Sequence, residues 1–294
     1  MITPILSYNC EIWGAYQKQD FKTWDSSPIE KTHLHFCKRY LEVSNKASNA
    51  ACRGELGRFP LIVGINEKIL NYIMYLFEKD EDSIVKQALL LSINLHSNGN
   101  TSFYSIIMKL SKSYNLPNFV PNNLDKTKIS RYKDIMKQKH ITQWRHSVNY
   151  TRKLEFYNTF KHCYEISSYL NLTRKTINRK ALVKLRVSNH KLMIETGRYN
   201  QTPHDKRLCP VCDSNEIEDE IHFLCYCPKY FKLRNEFFAQ IQSHLHNFQQ
   251  LSYSDLVIKL MNSEDIYLDL RLTNYISLWN NLRDSILSSK NDVT

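Results

Sequence analysis

Four residues with soft donor atoms stand at metal-ligand spacing: Cys209 and Cys212 with two residues between them, His222 after nine more, and Cys227 after a further four. Three thiolates and one imidazole fill the four corners of the tetrahedron that Zn²⁺ prefers and leave no corner for water or substrate. The expectation is one zinc ion with a structural role. Cys209-Pro210-Val211-Cys212 suits a tight turn whose backbone amides point at sulfur, and Pro210 fixes one backbone angle within it. The chain holds 8 Cys and 11 His, and a buried Cys often serves as a small apolar residue, so the spacing carries this reading and the number does not. Cys225 is an alternative fourth ligand. Cys227 is favoured because Pro228 and the stretch Lys229 to Arg234 read as a turn leading into an amphipathic helix, which leaves Cys225 to pack beside Leu224.

No other arrangement in the sequence promises a reaction. It has no Gly-x-x-x-x-Gly-Lys phosphate loop, no Gly-x-Ser-x-Gly elbow and no His-Glu-x-x-His helix. It has no adjacent Asp-Asp pair for a two-metal polymerase centre. Zinc deaminases place a His-x-Glu before Pro-Cys-x-x-Cys and keep a coordination position open, whereas here the Cys pair comes first. Asp80, Glu81 and Asp82 read as a solvated loop between helices. Glu218 and Glu220 read as solvent-facing groups or as supports behind the ligands. The chain by itself is expected not to be an enzyme, and no catalytic residue is assigned.

The formal charge is +11 over 294 residues, and its distribution says more than its size. Between Pro121 and Lys191 stand 17 Lys and Arg against 4 acidic residues, a local excess of +13 that exceeds the whole-chain value. Such a block beside a metal motif suits a polyanion, since Lys and Arg contacts to phosphate dominate nucleic-acid affinity. The candidate phosphate-binding residues are Arg174, Lys175, Arg179, Lys180, Lys184 and Arg186, which fall largely off the local apolar stripe. Tyr199 and Trp144 are candidate stacking faces, and Trp144 also reads as core.

The elements that must position these residues are helices. A 42% hydrophobic content with only 6 Gly and 8 Pro favours a mainly α fold over a sheet that needs many glycine turns. Apolar residues at helical spacing predict helices over 29–43 (Ile29, His33, Cys37, Tyr40, Leu41), from Ile65 to Phe77, from Ser83 to Ile93 and from Ser102 to Tyr114. Asn49 to Pro60, with two glycines and a proline, reads as a shaped connector. A long helical stretch is expected from Ile141 to Leu170, then helices over 174–192, 229–246, 254–261 and 266–288, the last docking against the body. The class is therefore a helical bundle with a small zinc-stabilised Cys-Cys-His-Cys motif inserted before the C-terminal helices. Leu116 to Asn123 is the clearest break, giving segments 1–116, 117–200 (basic), 201–247 (the motif and its following helix) and 248–294. Scattered cysteines outside the motif (Cys10, Cys37, Cys52, Cys163) do not form a secreted disulfide framework. No signal peptide and no apolar run of membrane-spanning length occurs, so an intracellular location, nuclear or cytoplasmic, with no membrane partner is expected.

Two stretches together resemble a known family. Ser188 to Tyr199, followed by Leu208-Cys-Pro-Val-Cys212 and Glu218-Asp-Glu-Ile-His-Phe-Leu-Cys-Tyr-Cys-Pro-Lys-Tyr230, is similar to the C-terminal cysteine-rich region of LINE-type non-LTR retrotransposon reverse transcriptases. Pro4 to Gly14, Ile29-Glu-Lys31, His35 to Arg39 and Gly54 to Pro60 resemble the segment that follows the polymerase domain in the same proteins, in the same order. The resemblance implies Cys209, Cys212, His222 and Cys227 as zinc ligands, with Cys225 outside the ligand set. It also implies a catalytically inert C-terminal fragment, a degenerate copy or a truncated gene model, because the endonuclease and polymerase regions are not in the chain. The implied partner is template RNA or target DNA during target-primed reverse transcription. The alternative is a helical zinc scaffold that contacts a polymerase domain of a related element.

Overall fold

The computed structural model describes residues 3–172 and 176–291. It is mainly helical, with the Cys-Cys-His-Cys motif set before the C-terminal helices. Among the described residues the strand-like pairings are two isolated antiparallel bridges, Leu56 with Ile166 and Leu208 with Ile217. No helix among them is long and apolar enough to cross a membrane. The chain divides into two compact units, Met1–Phe36 with Phe59–Trp144 and Cys37–Arg58 with Arg145–Thr294. Each unit joins two separated stretches, so the units cut across sequential segments.

The first unit is built around the Leu61–Phe77 helix, whose Ile62, Ile65, Ile69, Ile73 and Leu76 recur at helical spacing and are all buried. Burying each such side chain contributes roughly 1.5–3 kcal/mol. The Cys10–Trp13 turn and the Ile84–Ser97 helix pack against it, and Phe103–Tyr114 packs on Ile84–Ser97. Ser83 caps its helix by accepting from the Lys86 amide, and Ser102 forms a reciprocal capping box with Ser105; each satisfies amides that a helix start leaves unpaired. One carboxylate lies inside this unit. Glu30 accepts from the Trp24 indole at 2.6 Å, the Leu61 amide at 2.8 Å and faces His33 Nδ1 at 2.9 Å. Asp80, Glu81 and Asp82 are exposed between helices, as their clustering suggested.

The second unit gathers the Ile266–Asn291 helix against Thr176–Arg186, Phe231–Ile241 and Tyr253–Met261, so the terminal helix docks as its apolar face requires. Trp279 is its anchor: its ring lies 3.8 Å from Tyr275, 4.8 Å from Phe223 and 5.3 Å from Tyr230 between centroids. Residues 49–60, read as a shaped connector, contain a helix. Ser48 accepts from the Ala51 amide and starts a helix, Asn49–Leu56, which ends at Gly57 in the left-handed region (φ 58°). A Cβ at Gly57 would meet the Ile166 backbone nitrogen at 2.7 Å, so both conformation and close approach require glycine there.

The expected helix from Ile141 to Leu170 is broken. Lys126–Tyr150 ends one helix, Glu155–Phe160 forms a short second one, and Tyr169–Leu172 a third turn. Residues near 166 spend their backbone groups on another segment: Ser167 donates its amide to the Glu55 carbonyl at 2.8 Å, beside the Leu56–Ile166 bridge. The helix expected over 174–192 ends at Arg186, and the one expected over 229–246 runs only over Phe231–Ile241. Tyr40, assigned to an apolar face, is exposed.

Candidate metal centre

The motif begins as a small hairpin. Leu208 bridges Ile217, the Cys209 amide donates to the Glu216 carbonyl at 2.8 Å, and the Glu218 amide donates to Arg207 at 2.9 Å. This pairing holds Cys209-Pro210-Val211-Cys212 at its turn, where the amides of Cys212 and Val211 are directed at the Cys209 sulfur. Lys290 of the terminal helix donates to the Pro210 carbonyl at 2.9 Å.

The second ligand pair depends on an unusual helical turn. His222–Tyr226 is π-helical, closed by the Cys227 amide donating to the His222 carbonyl at 2.8 Å. In an α-helix, residues five apart point about 140° away from one another. The wider turn brings His222 and Cys227 back to one side, a use of π geometry often met at functional sites. Asp219 steadies the start by accepting from the His222 amide at 2.6 Å, and Arg234 donates to the Cys227 carbonyl at 3.0 Å.

The outcome is a buried group of four, Cys209, Cys212, His222 and Cys227, whose ligand atoms all lie within 4.8 Å of one another and can hold a metal ion. Cys212 Sγ lies 3.4 Å from His222 Nε2, while His222 Nδ1 faces Glu216 Oε2 at 2.8 Å. The carboxylate thus orients the ring and leaves Nε2 for the centre, as supporting carboxylates do at metal-bound histidines. Cys225 is not in the group; it is buried, and burial first of all pushes its thiol up to about 12. That is the behaviour of a packing residue.

The electrostatics of the cluster have one origin. Cys227 hydrogen-bonds to Cys209, drawing the Cys209 thiol far below its ordinary range against the effect of burial, and the same bond holds the Cys227 proton in place. For His222, burial favours the neutral ring, but hydrogen bonds to Cys209 and Cys212 outweigh it and raise the group to about 9. Three sulfurs and an imidazole crowded together stabilise whatever positive charge sits among them, whether proton or metal ion.

Glu218 and Glu220 are not solvent-facing. Glu218 is 1% exposed, accepts from Arg283 Nε and Nη2 at 2.7 and 2.8 Å and from the Met193 amide at 2.7 Å, and has Cys209 Sγ at 3.9 Å. It ties the motif to the terminal helix and to Met193–Tyr199. Glu220 is buried against His190 Nε2 at 2.9 Å. No periodicity marks these roles, because each partner lies in a different element.

The candidate phosphate-binding residues separate into groups. Arg174 and Lys175 lie outside the described residues. Lys180 is exposed and 3.8 Å from Glu42, and Arg179 is half-buried with its guanidinium 5.3 Å from the Tyr40 ring centre. Lys184 is half-buried; burial, then the charges of Lys180 and Lys191, hold its ammonium below the ordinary lysine range. Arg186 is a correction. It is 2% exposed, pairs with Glu55 through Nε–Oε2 at 2.9 Å and Nη2–Oε1 at 3.1 Å, and donates to the Met261 carbonyl. It is unavailable to a phosphate. The signal was present in its spacing, since Arg186 follows Leu182 by four residues on the buried face of its helix. Trp144 is buried and offers no stacking face, whereas Tyr199 is 48% exposed with Lys46 and Lys153 over its ring.

No protein-family model, no curated protein and no solved structure matches the chain. The site is read from its own geometry.

Proposed function

We propose that this chain binds nucleic acid without catalysis, through Lys180, the half-buried Arg179 and Lys184 and the exposed cations of the 121–191 block, with a structural zinc ion at Cys209, Cys212, His222 and Cys227. Its relatives in this reading are the C-terminal regions of LINE-type reverse transcriptases. Zinc suits the donor set: at a metal–sulfur distance of about 2.3 Å a tetrahedron has edges of roughly 3.8 Å, inside the 4.8 Å span of the four ligand atoms. When bound, the ion supplies a rigid four-way crosslink. Glu216 orients His222, Glu218 clamps the hairpin to Arg283, and Lys290 holds the Cys-x-x-Cys turn.

The observation that carries this reading is a donor set with all four corners filled, adjoining a block whose net charge of +13 exceeds that of the whole chain. A filled tetrahedron favours structure over chemistry. Concentrated, exposed cations favour phosphate. The test is the salt dependence of affinity for single-stranded RNA and DNA, measured with the zinc-loaded chain. Affinity should fall steeply as salt rises, and Arg179→Glu with Lys180→Glu should reduce the slope by roughly 2. Absent or salt-insensitive binding would overturn the reading.

A further inference from the structure

The Ile84–Ser97 helix of the first unit is apolar on two sides. Its inner side packs on Leu61–Phe77 and Phe103–Tyr114, with Leu89 and Ser92 buried and Ile93 set against the core. Its outer side carries Ile84, Ala88, Leu91 and Leu95, all exposed, Ile84 to 87% and Leu91 to 61%. A surface helix ordinarily turns charged and polar residues to water on that side. The steps of four, three and four residues along this stripe are those of a heptad seam, the spacing at which one helix lays its side chains into another.

Charge says what the seam can meet. From Ile84 to Asn98 the one Lys, Arg, Asp or Glu is Lys86, and its ammonium turns to the Phe77 carbonyl at 2.8 Å and to Glu81 at 3.4 Å. Gln87, Asn94 and Asn98, which border the seam, are exposed and neutral. A polyanion finds no cation there. Two copies of a chain with charge +11 repel one another, and they do so least where the facing surfaces hold no charge. The seam is also its own complement. About a two-fold axis between Leu89 and Leu90, an antiparallel second copy sets its Leu95 on Ile84 and its Leu91 on Ala88, so that the central layers pair a large side chain with a small one.

We propose that the outer face of Ile84–Ser97 is a self-association surface, on which a second copy of this chain docks its own Ile84–Ser97 helix antiparallel. At 1.5 Å per residue the seam from Ile84 to Leu95 spans about 17 Å. That is short for an interface, so the dimer is a weak one, with a Kd on the order of 10 µM. The proposal stands apart from the nucleic-acid-binding reading above and can fail without it.

Sedimentation velocity of the zinc-loaded full chain over roughly 1–100 µM tests it. The sedimentation coefficient should rise with concentration from monomer to dimer. Ile84→Lys and Leu91→Lys should each raise the Kd at least about tenfold, with the circular dichroism spectrum and zinc content unchanged. A chain that stays monomeric throughout, as one awaiting a different partner would, overturns the proposal. So does a dimer that neither substitution weakens. The register is read separately, in a Cys163→Ser background that removes the exposed cysteine. Under oxidised glutathione, Ile84→Cys mixed with Leu95→Cys should give a disulfide-linked dimer, and neither variant alone should. Linking of either variant to itself, or no linking of the mixture, overturns the antiparallel pairing. These cysteine variants decide the matter should a lysine variant unfold.

Discussion

Both units rest on buried apolar side chains, and they differ in how they bury charge. The first holds its Leu61–Phe77 helix in a cluster of Ile, Leu and aromatic side chains, and the carboxylate it buries, Glu30, meets an indole, a backbone amide and an imidazole. The second buries charge against charge. Glu55 meets Arg186, Tyr169 and, electrostatically, Lys161, while Glu218 meets Arg283 beside the sulfur cluster. Apolar burial is forgiving of small changes in shape, whereas a buried ion pair is costly once one partner is lost. The second unit is therefore the more exacting one, and it also holds the candidate metal centre.

The largest break in this comparison should come from the metal centre. Structural zinc contributes on the order of 10 kcal/mol or more to small motifs. Cys209→Ser or a strong chelator should remove the ion, seen by metal analysis, and unfold the 201–230 region, seen by hydrogen exchange, while amides of Leu61–Phe77 stay protected. Cys225→Ser should keep one ion per chain. Loss of protection throughout Leu61–Phe77 would show that the first unit does not stand on its own apolar core.

Next is the charge pair. Arg186→Met leaves the buried Glu55 carboxylate without its guanidinium partner and should destabilise the second unit by about 3–5 kcal/mol, whereas Arg186→Met with Glu55→Leu should recover most of that loss. Denaturant titration of the three proteins checks it. A double variant as unstable as the single one would mean that the pair does more than neutralise itself.

In the first unit, Glu30→Gln should cost less, about 1–3 kcal/mol, because a neutral amide keeps part of the acceptor set. The comparison sharpens if Glu30→Gln is milder than Arg186→Met in the same titration, and fails if the order is reversed.

The last comparison is a pH dependence in the second unit. Burial raises Asp269 to about 7, with the Arg186 charge opposing, while an unfolded chain releases that proton near pH 4. Between about pH 4 and 7 the folded state keeps a proton that the unfolded state has lost, so stability falls as pH rises through this window. Asp269→Asn should flatten that decline and raise the melting temperature at pH 8 relative to pH 4. A decline that persists unchanged in the variant would assign it to another group.

Much of this arrangement was legible in the sequence, for identifiable reasons. Ser83, Ser102 and the apolar spacing of Leu61–Phe77 act over one or two helical turns, so reading them needs only neighbouring residues. Asn49–Leu56 was hidden because Gly54 and Gly57 argue against a helix, and the contacts that bury it come from elsewhere in the unit. The break after Tyr150 was hidden because the backbone near Ile166 pairs with Glu55 and Leu56, more than a hundred residues away.

The sequence by itself determined the helical class, the set of four soft donors and the concentration of positive charge, because residue type and short-range spacing suffice for each. Tertiary structure alone decided that Arg186 meets Glu55 and that Glu218 is a clamp on Arg283. The reason is distance along the chain. Glu55 and Arg186 are 131 residues apart and Glu218 and Arg283 are 65 apart, and no local pattern can state which charges will meet once water is excluded between them.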